Sequence, residues 1–393
     1  MTSILHRSTG FAIVLLMMMS GCSDFGGSLP PGPDGSDEGI LFDVAGISGQ
    51  QGNTGDGGNA LEATLAFPQD VIVTPQGVVY IVDYMNHCIR MVDANGTIAR
   101  FAGSGVEGDG LSGPADQVDL DRPANIIFGA SNDMWVSDWK NCKLKRIDLS
   151  TMNVSTPVGT VEGYSGDGGP ADQAQLDLPS SALFGFNDIT GAIFADKMYI
   201  SDQVNQRIRV IDMASMSIST YAGSGIKGYA DTSWDQAQFS FPDGSDPIPG
   251  GRIAWGHHPY GLIVADTENN MIRYINEESK DVFTIAGSGT AGYSGDEDRA
   301  RFAELNNPTD VLVTIDHEIL IADTYNHVIR KIDAVGHIHT IVGTGVPGSS
   351  PDGTPAAEAK LNTPSGIGWD EASRTLYIAD TYNHQVKKVK LPR

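Results

Sequence analysis

From Ile40 onward the chain alternates short apolar runs with polar, glycine-rich punctuation, a pattern that predicts strands and turns. The run Val79-Tyr80-Ile81-Val82 ends in Asp83, an Asn86-His87 pair follows, and Ile89-Arg90 and Val92-Asp93 come next. Five further copies carry their aspartate at Asp138, Asp202, Asp266, Asp323 and Asp380, a mean spacing of about 59 residues. Leu320 to His327 and Tyr377 to His384 are nearly identical copies.

Each copy predicts four strands. A first apolar strand follows a proline, as in Val71-Ile72-Val73 after Pro68. A second, rich in β-branched and aromatic residues, ends at the repeated aspartate. An Asp-x-x-Asn turn reverses the chain into a third, Ile89 to Val92 in the first copy, and a short fourth ends in glycine, as in Arg100-Phe101-Ala102-Gly103. Four antiparallel strands per repeat, arranged radially, make a propeller blade. The sixth copy stops at Val389-Lys390-Leu391 without a fourth strand, and Ile40 to Gly46 supplies a matching strand at the other end of the sequence. The fold class is therefore all-β, a six-bladed β-propeller whose N-terminal strand closes the last blade, because a ring must not leave an open sheet edge.

Residues before Ile40 read differently. His6 and Arg7 precede the apolar run Phe11 to Met19, which is too short to span a bilayer, and Met19-Ser20-Gly21-Cys22 has the small residues of a lipoprotein cleavage site. The expected organisation is a signal peptide over 1–21, a flexible tether over 22–39 lipidated at Cys22, and the propeller over 40–393. Such a tether reaches about 20–25 Å. Localisation at a bacterial cell envelope follows. With 49 acidic against 25 basic residues, the net charge of −24 argues against nucleic acid and leaves the lipid anchor as the membrane contact. Cys88 and Cys142 are left as either a disulfide or two separate buried thiols.

Asn86-His87-Cys88-Ile89 and Asn326-His327-Val328 resemble the Asn-His-Leu signature of NHL repeats. The resemblance extends from Ile40 to the end and implies the propeller fold. The glycine-rich connection Gly163 to Ala171 is similar to loops of bacterial NHL proteins and accounts for the long repeat. The histidine is replaced in Asn141-Cys142, Asn205-Gln206 and Asn269-Asn270.

A residue present in every blade most simply serves the blade, whereas a site used once should break the repeat. Asp83, Asp138, Asp202, Asp266, Asp323 and Asp380, each followed seven positions on by Arg90, Lys145, Arg209, Arg273, Arg330 or Lys387, read as turn-fixing carboxylates. The G-x-G-x-x-G segments, such as Gly103 to Gly108, lead into Gly-Asp-Gly loops rather than helices, so they are positive-φ turns and not dinucleotide sites. His87, Cys142, His327 and His384 share one blade position, where packing in the turn is favoured over a soft-metal site. At the start of the channel-lining strands, Gln69, Asp70, Asn125 and Asp310 are ligand-binding candidates that could offer oxygen to Ca²⁺, as in similar-looking propeller lactonases, or cap their own turns. Trp135 and Trp139 are candidate anchors for a partner, and insertions near Asn187 to Asp196 and Gly244 to Gly250 break the repeat.

No catalytic residue and no metal site is assigned. The leading expectation is a monomeric, non-enzymatic scaffold without a cofactor that holds a protein, peptide or glycan at the envelope. The alternative is a Ca²⁺-dependent, lactonase-like hydrolase at the channel mouth.

Overall fold

The computed structural model describes residues 37–392, apart from 188–191, 246–247 and 257–260, with side chains 186–195 also left out. The signal peptide, Cys22 and nearly all of the expected tether lie outside the described residues, as do most side chains of the blade-three insertion.

Six antiparallel sheets form the blades, and in five of them the four main strands run in sequence order from the axis outward. Blade one is representative: Pro68–Val73 lines the axis, Val79–Asp83 and Cys88–Val92 follow, and Thr97–Ala102 lies outside. Blade six takes its outer strand from Ile40–Ala45, which pairs with Gln385–Lys390 in the register Leu41 to Val389. Three blades gain a fifth, two-residue outer strand from the long connecting loops, as where Gly58 and Asn59 pair with Ile98 and Thr97. The extra loop length is thus spent on covering outer edges.

The core lies between blades. Tyr80 and Val82 of blade one pack with Ile126, Met134 and Val136 of blade two, and each interface repeats this theme with its own residues. Trp135 belongs to such an interface, meeting Phe184 at 6.2 Å between ring centroids.

The repeated polar residues fix the turns as expected. Asp83 Oδ1 accepts the Ala66 N–H at 2.7 Å, and its Oδ2 accepts Asn86 Nδ2 at 2.8 Å. Asn86 Nδ2 also donates to the Gly52 carbonyl in the loop above, so the asparagine joins turn to loop. The cation seven positions on is fully buried: Arg209 meets Asp202 at 3.1 Å and Asp167 of the Gly-Asp-Gly loop at 2.6 Å. Blade six departs from this pairing, because Lys387 turns to Asp43 on the closing strand at 2.5 Å. Burial pushes Asp83, Asp138, Asp202 and Asp323 up to about 6 and Asp380 to about 7. The expected glycine turns are also present. Gly103 has φ +88°, and a Cβ there would meet the His87 carbonyl at 2.5 Å.

Cys88 and Cys142 are unpaired and buried, which resolves the disulfide question in favour of two thiols. Burial raises both thiol pKa values, that of Cys142 to about 11.

Candidate functional site

The channel candidates converge, but on a residue that the sequence reading did not single out. The six equivalent inner positions are Asp70, Asn125, Ser181, Arg252, Asp310 and Gly366. Arg252, with 1% of its surface exposed, donates from one terminal nitrogen to Asp70 Oδ1 at 2.8 Å and to Asp310 Oδ2 at 3.1 Å. Its other terminal nitrogen donates to the carbonyls of Gln69 and Ala124, both at 2.7 Å. Asn125 Nδ2 donates to Asp70 at 2.9 Å, and Asn125 Oδ1 accepts the Ala182 N–H at 3.1 Å. A Cβ on Gly366 would lie 2.7 Å from the guanidinium, so glycine makes room for it. The carboxylates of Asp70 and Asp310 and the Asn125 amide oxygen are spent on an arginine and on backbone amides, while the Gln69 side chain is buried with neither polar atom hydrogen-bonded among the described residues. Burial holds Asp310 at about 6 despite Arg252, and Asp70 adds to the rise.

Trp139 is 1% exposed, so it is a packing residue and not a surface anchor. It meets Tyr84 at 5.9 Å and donates from Nε1 to Gln203 at 3.2 Å. Trp135 is likewise buried. Both partner-anchor assignments are corrected for the same reason: their rings fill space within and between blades. The blade-four insertion does reach the mouth, where buried Ile248 joins Pro242, Thr267, Glu268, Asn307, Thr309 and Tyr325 around an open hollow of about 260 Å³.

The signature histidine acts across blades. His327 Nδ1 accepts the Thr363 N–H at 3.0 Å, just before the next inner strand, and His384 Nδ1 accepts the Phe67 N–H at 3.2 Å. Gln206 Oε1 and Asn270 Oδ1 do the same for Phe241 and Asn307, which explains why these replacements are tolerated. Each of these side chains latches one blade to the next. Burial lowers the pKa values of His327 and His384, which keeps the acceptor nitrogen free of a proton.

Two junctions add a Glu–Asp pair to this latch: Glu162 and Asp177 beside Cys142 between blades two and three, and Glu107 and Asp121 between blades one and two, where alone the pair meets a histidine. Between blades one and two, His87 Nδ1 accepts the Arg122 N–H at 3.3 Å and also lies 3.4 Å from Asp121 Oδ1. A neutral imidazole nitrogen that accepts a hydrogen bond has no proton for a carboxylate. Asp121 Oδ1 is buried without a hydrogen-bond partner. Glu107 completes a group whose possible ligand atoms all lie within 4.8 Å of one another. Burial and the Glu107 charge raise the Asp121 pKa, while His87, Arg122 and Lys140 lower it. At the junction of blades six and one, the places of His87, Glu107, Asp121, Arg122 and Lys140 are held by His384, Gln51, Ala66, Phe67 and Met85. The sequence reading noted the histidine column but did not align its neighbours, so this departure was missed.

Comparison with known proteins agrees with the architecture. The model of the Teneurin NHL domain matches residues 45–109. The NHL repeat-containing protein 2 of Gallus gallus is 26% identical over 350 residues, covering 83% of this chain and 47% of its own length. The chain therefore spans about half of that relative. Among solved structures, an auxiliary nutrient binding protein from Bacteroides ovatus superposes with a TM-score of 0.63 at 14% identity, covering 89% of this chain and 76% of that one. A gluconolactonase from Xanthomonas campestris gives 0.51 at 12% identity, covering 84% and 87%.

The expectation of a non-enzymatic scaffold without a metal site is corrected by these findings. A His–Glu–Asp group of ligand type is present, and an enzyme stands among the proteins built on this fold. Blade count and strand closure make the chain a six-bladed β-propeller, and its sequence is similar to NHL-repeat proteins.

Proposed function

We propose that the protein is a divalent-cation-dependent hydrolase of small esters or lactones, with its site on the loop face where blades one and two meet. The carrying observation is the buried, unsatisfied Asp121 oxygen beside His87 and Glu107. Two carboxylates and an imidazole suit a divalent ion, which when bound supplies Lewis-acid polarisation of a carbonyl and a more acidic water. Asp121 and Glu107 would hold it by oxygen, and His87 by nitrogen in exchange for the long hydrogen bond that its Nδ1 accepts from the Arg122 amide at 3.3 Å. Hydrolysis adds the water oxygen to the carbonyl carbon, breaks the ester C–O bond and returns the proton to the departing alkoxide. Locating the site at this junction, and not on the axis, follows from Arg252, which already balances the axial carboxylates. Lactones are the first substrates to try because the gluconolactonase shares the fold.

The test pairs equilibrium dialysis against Zn²⁺, Mn²⁺ and Ca²⁺ with hydrolysis of a lactone panel, with and without chelator. Metal bound near one equivalent, chelator-sensitive turnover and loss of both in Asp121→Asn support the reading. Metal-free protein with no chelator-sensitive turnover refutes it.

A second reading, capture of a protein, peptide or glycan on the same face, is favoured by exposed aliphatic side chains. Val106, Val161, Ile226 and Val346 occupy equivalent loop tips. The nutrient-binding neighbour is of that kind. In either reading the protein would sit at the cell envelope, held by lipid on Cys22. Labelled palmitate incorporated by the wild-type chain but not by Cys22→Ser supports that placement, and equal labelling refutes it.

A further inference from the structure

We infer that the junction of blades one and two also recognises the carboxylate of a small organic acid, through Arg122 and Lys140. This rests on the metal reading above for its location and extends it to substrate class.

Most described cations are spent in ion pairs, while Lys197, Arg207, Arg299, Arg301, Lys360 and Lys388 make none among the described residues, as is the case for Arg122 and Lys140. The repeated arginines and lysines are buried in ion pairs such as Arg273 with Asp266 at 2.8 Å and Asp231 at 2.6 Å. Arg122 and Lys140 have no ion pair among the described residues, although acids outnumber bases two to one in the sequence. The Nε of Arg122 is buried without a hydrogen bond. Both cations lie within electrostatic reach of Asp121, and Lys140, whose ammonium is 5.7 Å from the Trp139 ring centroid, also reaches Asp177 at the next junction. The Arg122 amide reaches His87, and the Lys140 amide donates to the Asp121 carbonyl at 3.1 Å.

Repeat symmetry gives an independent argument. The positions equivalent to Arg122 in the other blades hold Phe67, Leu178, Phe241, Asn307 and Thr363, none of them charged. Those equivalent to Lys140 hold Met85, Val204, Glu268, Tyr325 and Tyr382, none of them basic. If these two residues served the blade, basic side chains would recur around the ring as the buried arginines do. Their joint appearance at the junction that holds the His–Glu–Asp group assigns them to that site.

Charge counting sets the ligand. Glu107 and Asp121 carry two negative charges, and Arg122 and Lys140 cancel them. A divalent ion then leaves the junction positive, and a carboxylate is the small anion that arginine binds through two parallel hydrogen bonds. The guanidinium would hold the acid group while the ester carbonyl faces the ion. The monolactone of a hydroxylated dicarboxylic acid fits this arrangement, because one carboxylate stays free when the other closes the ring, whereas a neutral polyol lacks the recognised group.

The test uses the full chain loaded with metal and calorimetric titration with gluconate, with sorbitol as the neutral analogue. Gluconate is expected to bind about tenfold or more tightly than sorbitol, a difference lost in Arg122→Gln/Lys140→Gln. The same double variant is expected to bind the metal more tightly, because two repelling charges are gone. A variant that had merely disturbed the fold would bind it less tightly. Equal binding of gluconate and sorbitol, unchanged gluconate affinity in the variant, or a preference for inorganic phosphate over gluconate would overturn the inference while leaving the metal reading intact. Should the protein bind no metal, the metal reading fails, and the same comparison on metal-free protein decides the anion site by itself.

Discussion

Replacing Arg252 with methionine removes a guanidinium of similar length and leaves Asp70 and Asp310 facing one another without a counter-ion. Four donated hydrogen bonds disappear: one each to Asp70, Asp310, the Gln69 carbonyl and the Ala124 carbonyl. Breaking a buried ion pair by deleting one partner costs about 3–5 kcal/mol. For a body of this size a change of that magnitude corresponds to roughly 4–7 °C in melting temperature. The loss is expected to be pH dependent. Asp310 already titrates at about 6, held up by burial and by Asp70, with Arg252 pulling it down. Without Arg252 its affinity for a proton rises further, so the folded variant binds a proton that the unfolded chain releases. The deficit of Arg252→Met is therefore smaller at pH 5 than at pH 8. Adding Asp70→Asn and Asp310→Leu to Arg252→Met is expected to recover much of the loss, because no charge is then left buried. Urea denaturation of wild type, Arg252→Met and the triple variant at both pH values reads these quantities. A single variant within about 1 kcal/mol of wild type at pH 8 would show that the axial guanidinium is not the keystone of the ring.

Two further outcomes are expected. Melting temperature should rise as pH falls from 8 to 5.5, since Asp83, Asp138, Asp202 and Asp323 titrate at about 6 and Asp380 at about 7 when folded. Unfolded aspartate titrates near about 4, so this stabilisation is present at low pH and is lost as pH rises through the folded values. His327 and His384, whose folded values are lowered, oppose the trend with two groups against five. A steady fall in melting temperature from pH 8 to 5.5 would reverse the assigned sign. Trp139→Ala should cost about 3–5 kcal/mol as a large-to-small core change. Unchanged stability with weakened partner capture would instead return that ring to the surface.

The parts of the fold that recur were legible in the sequence because each is local. An aspartate, an asparagine three positions on and a cation seven positions on build one turn, and six repetitions of it declare the blade count. The closing strand was legible because the last repeat lacks one. Arg252 escaped because it follows Gly250-Gly251 where the other blades carry a proline, so the column of prolines did not point to it. Its partners Asp70 and Asp310 lie 182 and 58 residues away in sequence, a proximity that only ring closure creates. Trp139 misled because an aromatic that breaks a repeat can be an anchor or a filler, and burial alone separates the two. The Asp121 group was hidden for another reason. Its members come from a turn, a loop and a strand approach in two blades, and each looks ordinary until the six junctions are compared position by position.

The outermost ribbon of blade six sets the direction in which the molecule can be held. Ile40 enters beside Lys390, and Leu391 donates its amide to Arg374, so both ends of the described chain depart from the edge remote from the Asp-x-x-Asn turns. A fusion partner or bead joined directly at Ile40 or Leu391 is therefore at the back of the ring. The junctions then look outward, and solutes reach His87 and Arg122 without passing between the protein and its support.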